Sequence, residues 1–156
     1  MDKQNRLLPP GWCKRVAVMA AAALAGNYLL GMIPWPEFML SGYRKAAESP
    51  EAGGYGFLLL TLLVAPAAEE GIFRFGIYGG LRKWSCLRAW QAALLSSMAF
   101  GLYHGNWIQG IYACFTGLVL AWGYESSSCH KYLMAVLMHM AANLAAVAVF
   151  GLPGHT

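Results

Sequence analysis

Long apolar runs alternate with short polar gaps along this chain. The runs lie near Val16 to Ile33, Phe57 to Leu81, Ala89 to Tyr103, Trp107 to Trp122 and Tyr132 to Leu152. Each approaches the roughly 20 residues an α-helix needs to cross a hydrocarbon core, except the third, which is shorter and more polar. The pattern predicts an all-α fold, a polytopic transmembrane helical bundle of about five spans. Between the first two runs, Pro34 to Gly56 is polar, with two prolines at its start and SPEAGGYG at its end. It reads as a loop with a short amphipathic helix around EFMLSGYRKAAE. The first run follows Lys14 and Arg15 and imitates a signal peptide, with ALA as a cleavage site. The run continues through GNYLLGMI, so an uncleaved span is the expectation. The chain then divides into a cytoplasmic basic N-terminus (1–15), a first span with its polar loop (16–56), a core of about four spans (57–152) and a tail (153–156).

Composition strengthens this picture. The chain has 156 residues, a length that suits one domain; 58% are apolar and 12% are charged. Soluble domains carry about 25% charge, so most of this surface is expected to be covered by protein or by a lipid bilayer. The net charge of +4 does not point to nucleic acid, because the basic residues fall in short gaps between apolar runs and form no polar basic domain. With the N-terminus cytoplasmic, Lys3, Arg6, Lys14, Arg15, Arg82, Lys83, Arg88 and Lys131 all fall inside, and only Arg44 and Lys45 fall outside. Trp12, Trp35, Trp84, Trp90, Trp107 and Trp122 all stand at or near run ends, where amphipathic rings favour the membrane interface. Cys13, Cys86, Cys114 and Cys129 have no CxxC spacing and no secreted-framework pattern, which predicts reduced, structural thiols.

One stretch resists this apolar logic. In VAPAAEEGIFRFG, residues 64–76, two carboxylates and a guanidinium lie deep in the second run. An ionised group at mid-bilayer costs at least about 2.5–3.5 kcal/mol, so three on one helix imply pairing or a polar interior site. Residues four apart lie about 40° apart around a helix, so Glu70 and Arg74 share a face and can pair. Glu69 is turned about 140° from Arg74 and remains a separate carboxylate, suited to act as a general base. Pro66 removes a backbone donor and frees a carbonyl one turn earlier. Two further polar sets lie in apolar surroundings: Phe100 and His104 in FGLYH, and His139 and Asn143 in HMAAN. Each pair has i, i+4 spacing and shares a helix face. Peptide hydrolysis needs a base for water and donors where negative charge develops, and these residue types supply both. His130 and His155 have no such partners and read as solvated.

EEGIFR, FGLYH and HMAAN resemble, in order, the EExxxR, FxxxH and HxxxN motifs of the CAAX protease and bacteriocin-processing enzyme family (CPBP, also called Abi). The resemblance spans residues 69 to 143. It implies a membrane-embedded, metal-independent glutamic endopeptidase without a cofactor. Glu69 and His104 would hold and activate the attacking water, and Glu70 and Arg74 would support the motif helix. His139 and Asn143 would form the oxyanion hole, and Phe100 would shape the pocket beside His104. Eukaryotic CAAX proteases of the family are larger. The short chain therefore suggests a prokaryotic cytoplasmic-membrane protein, acting on a secreted-peptide precursor, a prenylated protein or another membrane-associated peptide.

Two other readings use the same residues. Glu69, Glu70, His104 and His139 include zinc-ligand types, but there is no HExxH, and no helix carries two histidines at ligand spacing. A membrane immunity or regulatory protein could use the constellation for recognition, although binding alone requires neither a base nor an oxyanion pair.

Overall fold

The structure, a computed structural model, is described for residues 7–47 and 55–151. The described residues form six helices and no strand: α1 (Trp12–Gly31), α2 (Glu37–Ala47), α3 (Tyr55–Trp84), α4 (Ala89–Tyr103), α5 (Trp107–Ser126) and α6 (Lys131–Phe150). The amphipathic helix expected after the first run is α2. Lys3, Arg6, most of the SPEAGGYG segment and the tail lie outside the described residues.

By length and composition, α3 and α6 are apolar enough to cross a membrane. The fold therefore carries two such helices where the sequence pattern leads one to expect about five spans. The remaining three runs are helical, but α4 has only 15 residues, and α1 and α5 dilute their apolar content with basic residues at one end of α1 and with Gly, Gln and Glu in α5. The outer faces of the bundle are apolar all the same. Leu59, Leu60, Leu63, Val64, Phe115, Leu118, Leu144 and Val149 are all exposed, which is unlike a water-facing surface.

One end of the bundle is tied by charge. Arg15 donates to the Ser126 carbonyl at 2.8 Å and to its hydroxyl at 3.0 Å, which satisfies the C-terminal end of α5 with a cation. Glu125 joins Arg82 at 3.3 Å and Lys131 at 3.5 Å. Arg15 of α1, Arg82 of α3 and Lys131 of α6 thus meet Glu125 and Ser126 of α5 at one end. The core beneath them is built from Met19, Ala23, Phe73, Phe100, Leu120, Met134 and Met138.

Helix α3 is not regular. Two wide turns, Leu60–Val64 and Gly71–Tyr78, flank a normal α segment, Ala65–Glu70. In the first, the Ala65 N–H reaches back five residues to the Leu60 carbonyl. The Thr61 carbonyl would then look to residue 66, which is proline and has no N–H. Wide turns of this kind are rare and concentrate at functional sites. The carbonyl freed by Pro66 is Thr61's, and Asn143 of α6 donates to it at 2.8 Å. Ser96 of α4 donates to the Phe73 carbonyl in the second wide turn at 2.6 Å. Tyr132 of α6 donates to the Ala67 carbonyl at 2.8 Å. The helix carrying the charges is therefore held by side chains from both neighbours.

Contact between α4 and α5 requires glycine. A Cβ on Gly101 would lie 2.6 Å from the Gly110 carbonyl oxygen. Neither backbone can move without shifting its whole helix. Gly101→Ala is therefore expected to cost at least about 1–3 kcal/mol, measured as a lowered unfolding midpoint of the purified protein. An unchanged midpoint would show that the two helices need not meet backbone to backbone.

Candidate active site

The site is assembled where α3, α4 and α6 meet. Glu70 and Arg74 share a face of α3 as their spacing predicts. Arg74 Nη1 donates to Glu70 Oε1 at 3.2 Å, and neither side chain is exposed at all. The turn between them is wide, yet the pairing survives because both residues still face the bundle interior. A paired guanidinium and carboxylate need more than each other when buried. Arg74 lies 4.3 Å over the Phe100 ring, where the ring's negative face receives it. It also packs beside Gly117 and Ser97: a Cβ on Gly117 would come within 2.9 Å of Arg74 Nη2 and 3.0 Å of the Ser97 hydroxyl. Only glycine leaves room there for the guanidinium.

Glu69 is separated from this pair, as helical phase requires, with 15% of its side chain exposed where Glu70 has none. His139 of α6 connects the two carboxylates. Its Nδ1 lies 2.8 Å from Glu70 Oε1, and its Nε2 lies 3.6 Å from Glu69 Oε2. A carboxylate can only accept, so the 2.8 Å contact assigns a proton to Nδ1. That fixes the ring and turns Nε2 toward Glu69.

His104 closes α4 as its C-terminal cap residue. Its Nδ1 lies 2.9 Å from the Phe100 carbonyl, again a pure acceptor, which leaves Nε2 available. Phe100 is the hub of the assembly. Its buried ring meets His104 edge-on at 4.8 Å, His139 at 5.7 Å and Phe73 at 5.0 Å, with Arg74 over its face. The structure thus brings Glu69, Glu70, Arg74, Phe100, His104 and His139 together. Asn143 lies one turn beyond His139, with its Nδ2 on Thr61. His139 and Asn143 make separate contacts: His139 with the two glutamates, Asn143 with the backbone of α3.

Reading the sequence for charge overlooks Ser96 and Tyr132, which bond the backbone of the charged helix, Thr61, whose carbonyl takes Asn143, and Ser97 and Gly117, which pack beside Arg74. Ser96 and Ser97 do carry a signal, as two adjacent hydroxyls in an apolar run, and both are fully buried. Nothing in the sequence marks Thr61, because the wide turn that frees its carbonyl depends on packing.

The donor set of Glu69, His104 and His139 has zinc-ligand chemistry. Among the described residues, however, no three His, Cys, Asp or Glu side chains converge closely enough to hold a metal ion.

In comparisons with known proteins, a family model described as "Type II CAAX prenyl endopeptidase Rce1-like" matches residues 51–145. This interval contains all three motifs and the whole of α3, α4 and α5. No curated protein and no solved structure matches the chain.

Proposed function

The chain belongs to the Rce1-like family of type II CAAX prenyl endopeptidases, and from that premise we propose that it is a multi-pass intramembrane endopeptidase that hydrolyses a peptide bond without a metal. The observation that carries this reading is His139, held through Nδ1 by Glu70 and presenting Nε2 to Glu69. A carboxylate that orients an imidazole, with the free ring nitrogen aimed at a second reacting group, is the logic of known hydrolytic triads.

Glu69 is the base. It takes a proton from a water held between its carboxylate and the Nε2 atoms of His104 and His139. The hydroxide adds to the carbonyl carbon of the scissile bond, and the carbonyl oxygen becomes an oxyanion. An N–H at His139 Nε2 donates to that oxyanion. Collapse of the tetrahedral intermediate breaks the C–N bond, and the proton taken by Glu69 passes to the leaving amine. Arg74 and Phe100 act through others, Arg74 by fixing Glu70 and Phe100 by seating both histidines. For Asn143 to join the oxyanion hole its amide would have to leave Thr61. Its present bond gives it a positioning role on α3.

The substrate is a membrane-associated peptide or protein, prenylated or a secreted-peptide precursor. The enzyme sits in a prokaryotic cytoplasmic membrane with its N-terminus cytoplasmic. Comparative peptidomics of membranes carrying wild type or His139→Ala is the test, with uncut precursor expected to accumulate in the variant. Identical peptide profiles would defeat the proposal. Wild-type cleavage is further expected to persist in protein verified free of metal by elemental analysis. Loss on chelation that Zn²⁺ restores would make it a zinc peptidase.

A further inference from the structure

Arg82, Lys83 and Arg88 stand where α3 turns into α4, and Arg82 Nη1 ties that turn by donating to the Leu87 carbonyl at 3.0 Å. Among the described residues Glu125 is the one carboxylate at this end, and Arg82 and Lys131 already share it. Lys83 and Arg88 are exposed and reach no carboxylate among the described residues. Residues 1–6 adjoin this end in sequence and carry Lys3 and Arg6 against Asp2, so their charge has the same sign. Indoles accompany the cations. Lys83 Nζ lies 5.2 Å from the centre of the Trp84 ring, and Trp84 and Trp90 are 79% and 61% exposed. Just past Arg88, one face of α4 presents Trp90, Leu94, Met98 and Leu102, each one turn from the last and all exposed. Cation, indole and aliphatic side chains thus follow one another in the order in which a bilayer leaflet presents phosphate, interface and hydrocarbon. That face ends at a groove of about 530 Å³ between α4 and α5, lined by Met98, Leu102, Ile111 and Cys114 together with Gly101 and Gly110, where the two backbones meet. Asn106 also lines it, but its oxygen and its amide are both bonded to Gln109, so the groove offers chiefly hydrocarbon contact. Met98 lies about 15 Å along the helix from Arg88, the depth of one leaflet in a hydrocarbon core about 30 Å thick.

We propose that this face binds one acidic phospholipid, its phosphate on Lys83 and Arg88 and an acyl chain laid along α4 into the groove beside Gly101 and Gly110. The charge decides the headgroup. A zwitterionic choline lipid brings its own cation to a corner already rich in them, whereas an anionic glycerol headgroup brings only the phosphate. The apolar stripe decides that the anion is a lipid. A soluble phosphate or an acidic protein would meet the cations but leave Leu94, Met98, Leu102 and the groove uncovered. A second copy of the chain in the same orientation would bring the same cations to the same end. The lipid would join the α3–α4 turn to α5, and so brace the two helices that carry Glu69 and His104. The inference goes beyond the peptidase reading and does not rest on it.

The test is native mass spectrometry of the full-length protein in an uncharged detergent with equimolar dioleoyl phosphatidylglycerol and dioleoyl phosphatidylcholine. Wild type is expected to retain the glycerol lipid over the choline lipid by at least about tenfold, since each cation near an acidic headgroup contributes roughly fivefold. Lys83→Gln with Arg88→Gln should bring that ratio close to one. Arg44→Gln with Lys45→Gln, exposed cations of α2 on the far side of α1, should leave it unchanged. Ile111→Trp fills the groove from its exposed wall and should lower retention of phosphatidylglycerol several-fold. If Ile111→Trp fails to fold, dihexanoyl phosphatidylglycerol on wild type replaces it, because its chains are too short to pass from Arg88 to Met98, and several-fold weaker retention is expected. Equal retention of the two dioleoyl lipids by wild type, or a preference that survives Lys83→Gln with Arg88→Gln, overturns the inference. Retention indifferent to both the groove and the chain length also overturns it, leaving only a diffuse surface charge. Displacement of the lipid by sn-glycerol 3-phosphate, beyond what sodium chloride of equal ionic strength achieves, would make the corner a site for soluble phosphate and overturn the lipid assignment.

Discussion

Glu69→Gln is expected to lower peptidase turnover by about 10²–10⁴-fold while the protein folds and inserts normally. The two glutamates are adjacent in sequence but differ in what removing their charge does. Glu70 is fully buried and shared by Arg74 and His139, so its charge is part of the structure. Glu69 is partly exposed, stands 3.6 Å from His139 Nε2 and has no closer partner among the described residues. Glutamine keeps its shape and can still hydrogen-bond, but it cannot accept a proton from water. The loss should therefore fall on kcat with little change in KM, the signature of an interaction made in the transition state. Glu70→Gln should also reduce turnover, but with a lowered unfolding midpoint, because it strips Arg74 of its partner. The measurement is kcat and thermal unfolding on the same preparations. Full turnover by Glu69→Gln would remove Glu69 from the base role.

Part of this contrast is legible in the sequence, because helical phase depends on little else. Glu70 with Arg74, Phe100 with His104 and His139 with Asn143 are each one turn apart, and any ordered helix places each couple on one face. That EEGIFR, FGLYH and HMAAN lie on three helices follows from the apolar runs around them. Which atoms then meet does not follow. His139 turns to Glu70 and Asn143 to Thr61 because α3 widens at Leu60–Val64 and Gly71–Tyr78. Pro66 announces a freed carbonyl, but whether it is four or five residues back is decided by the packing of α4 and α6 on α3.

The small residues show the same limit. Gly101, Gly110 and Gly117 read as ordinary membrane-helix glycines. Only the assembled helices reveal that two of them let backbones touch and the third admits a guanidinium. Span count is the coarsest case. The sequence pattern weighs each run by its apolar residues, yet α4 spends Ser96 and Ser97 on the interior, so its composition understates how buried it is.

Arg74→Met is expected to destabilise the protein by about 3–5 kcal/mol, because it leaves the buried Glu70 carboxylate without its cation. Methionine keeps much of the volume and the contact with Phe100, so the loss reports charge more than packing. Arg74→Lys should not restore the site. A lysine presents a compact charge that can neither lie flat over the Phe100 ring nor reach past Gly117 with a planar fork. In the double variant Arg74→Met with Glu70→Gln, the buried charge disappears with its partner, and much of the stability should return. Activity should not return with it, because His139 then loses the carboxylate that fixes its Nδ1 proton and aims Nε2 at Glu69. Denaturant unfolding of the three variants beside wild type separates these contributions. Equal stability of the single and double variants would mean that the pair is not what Glu70 depends on. A stable but inactive double variant would place the purpose of the pair in orienting His139, and the stability of α3 in the Ser96, Tyr132 and Asn143 bonds to its backbone.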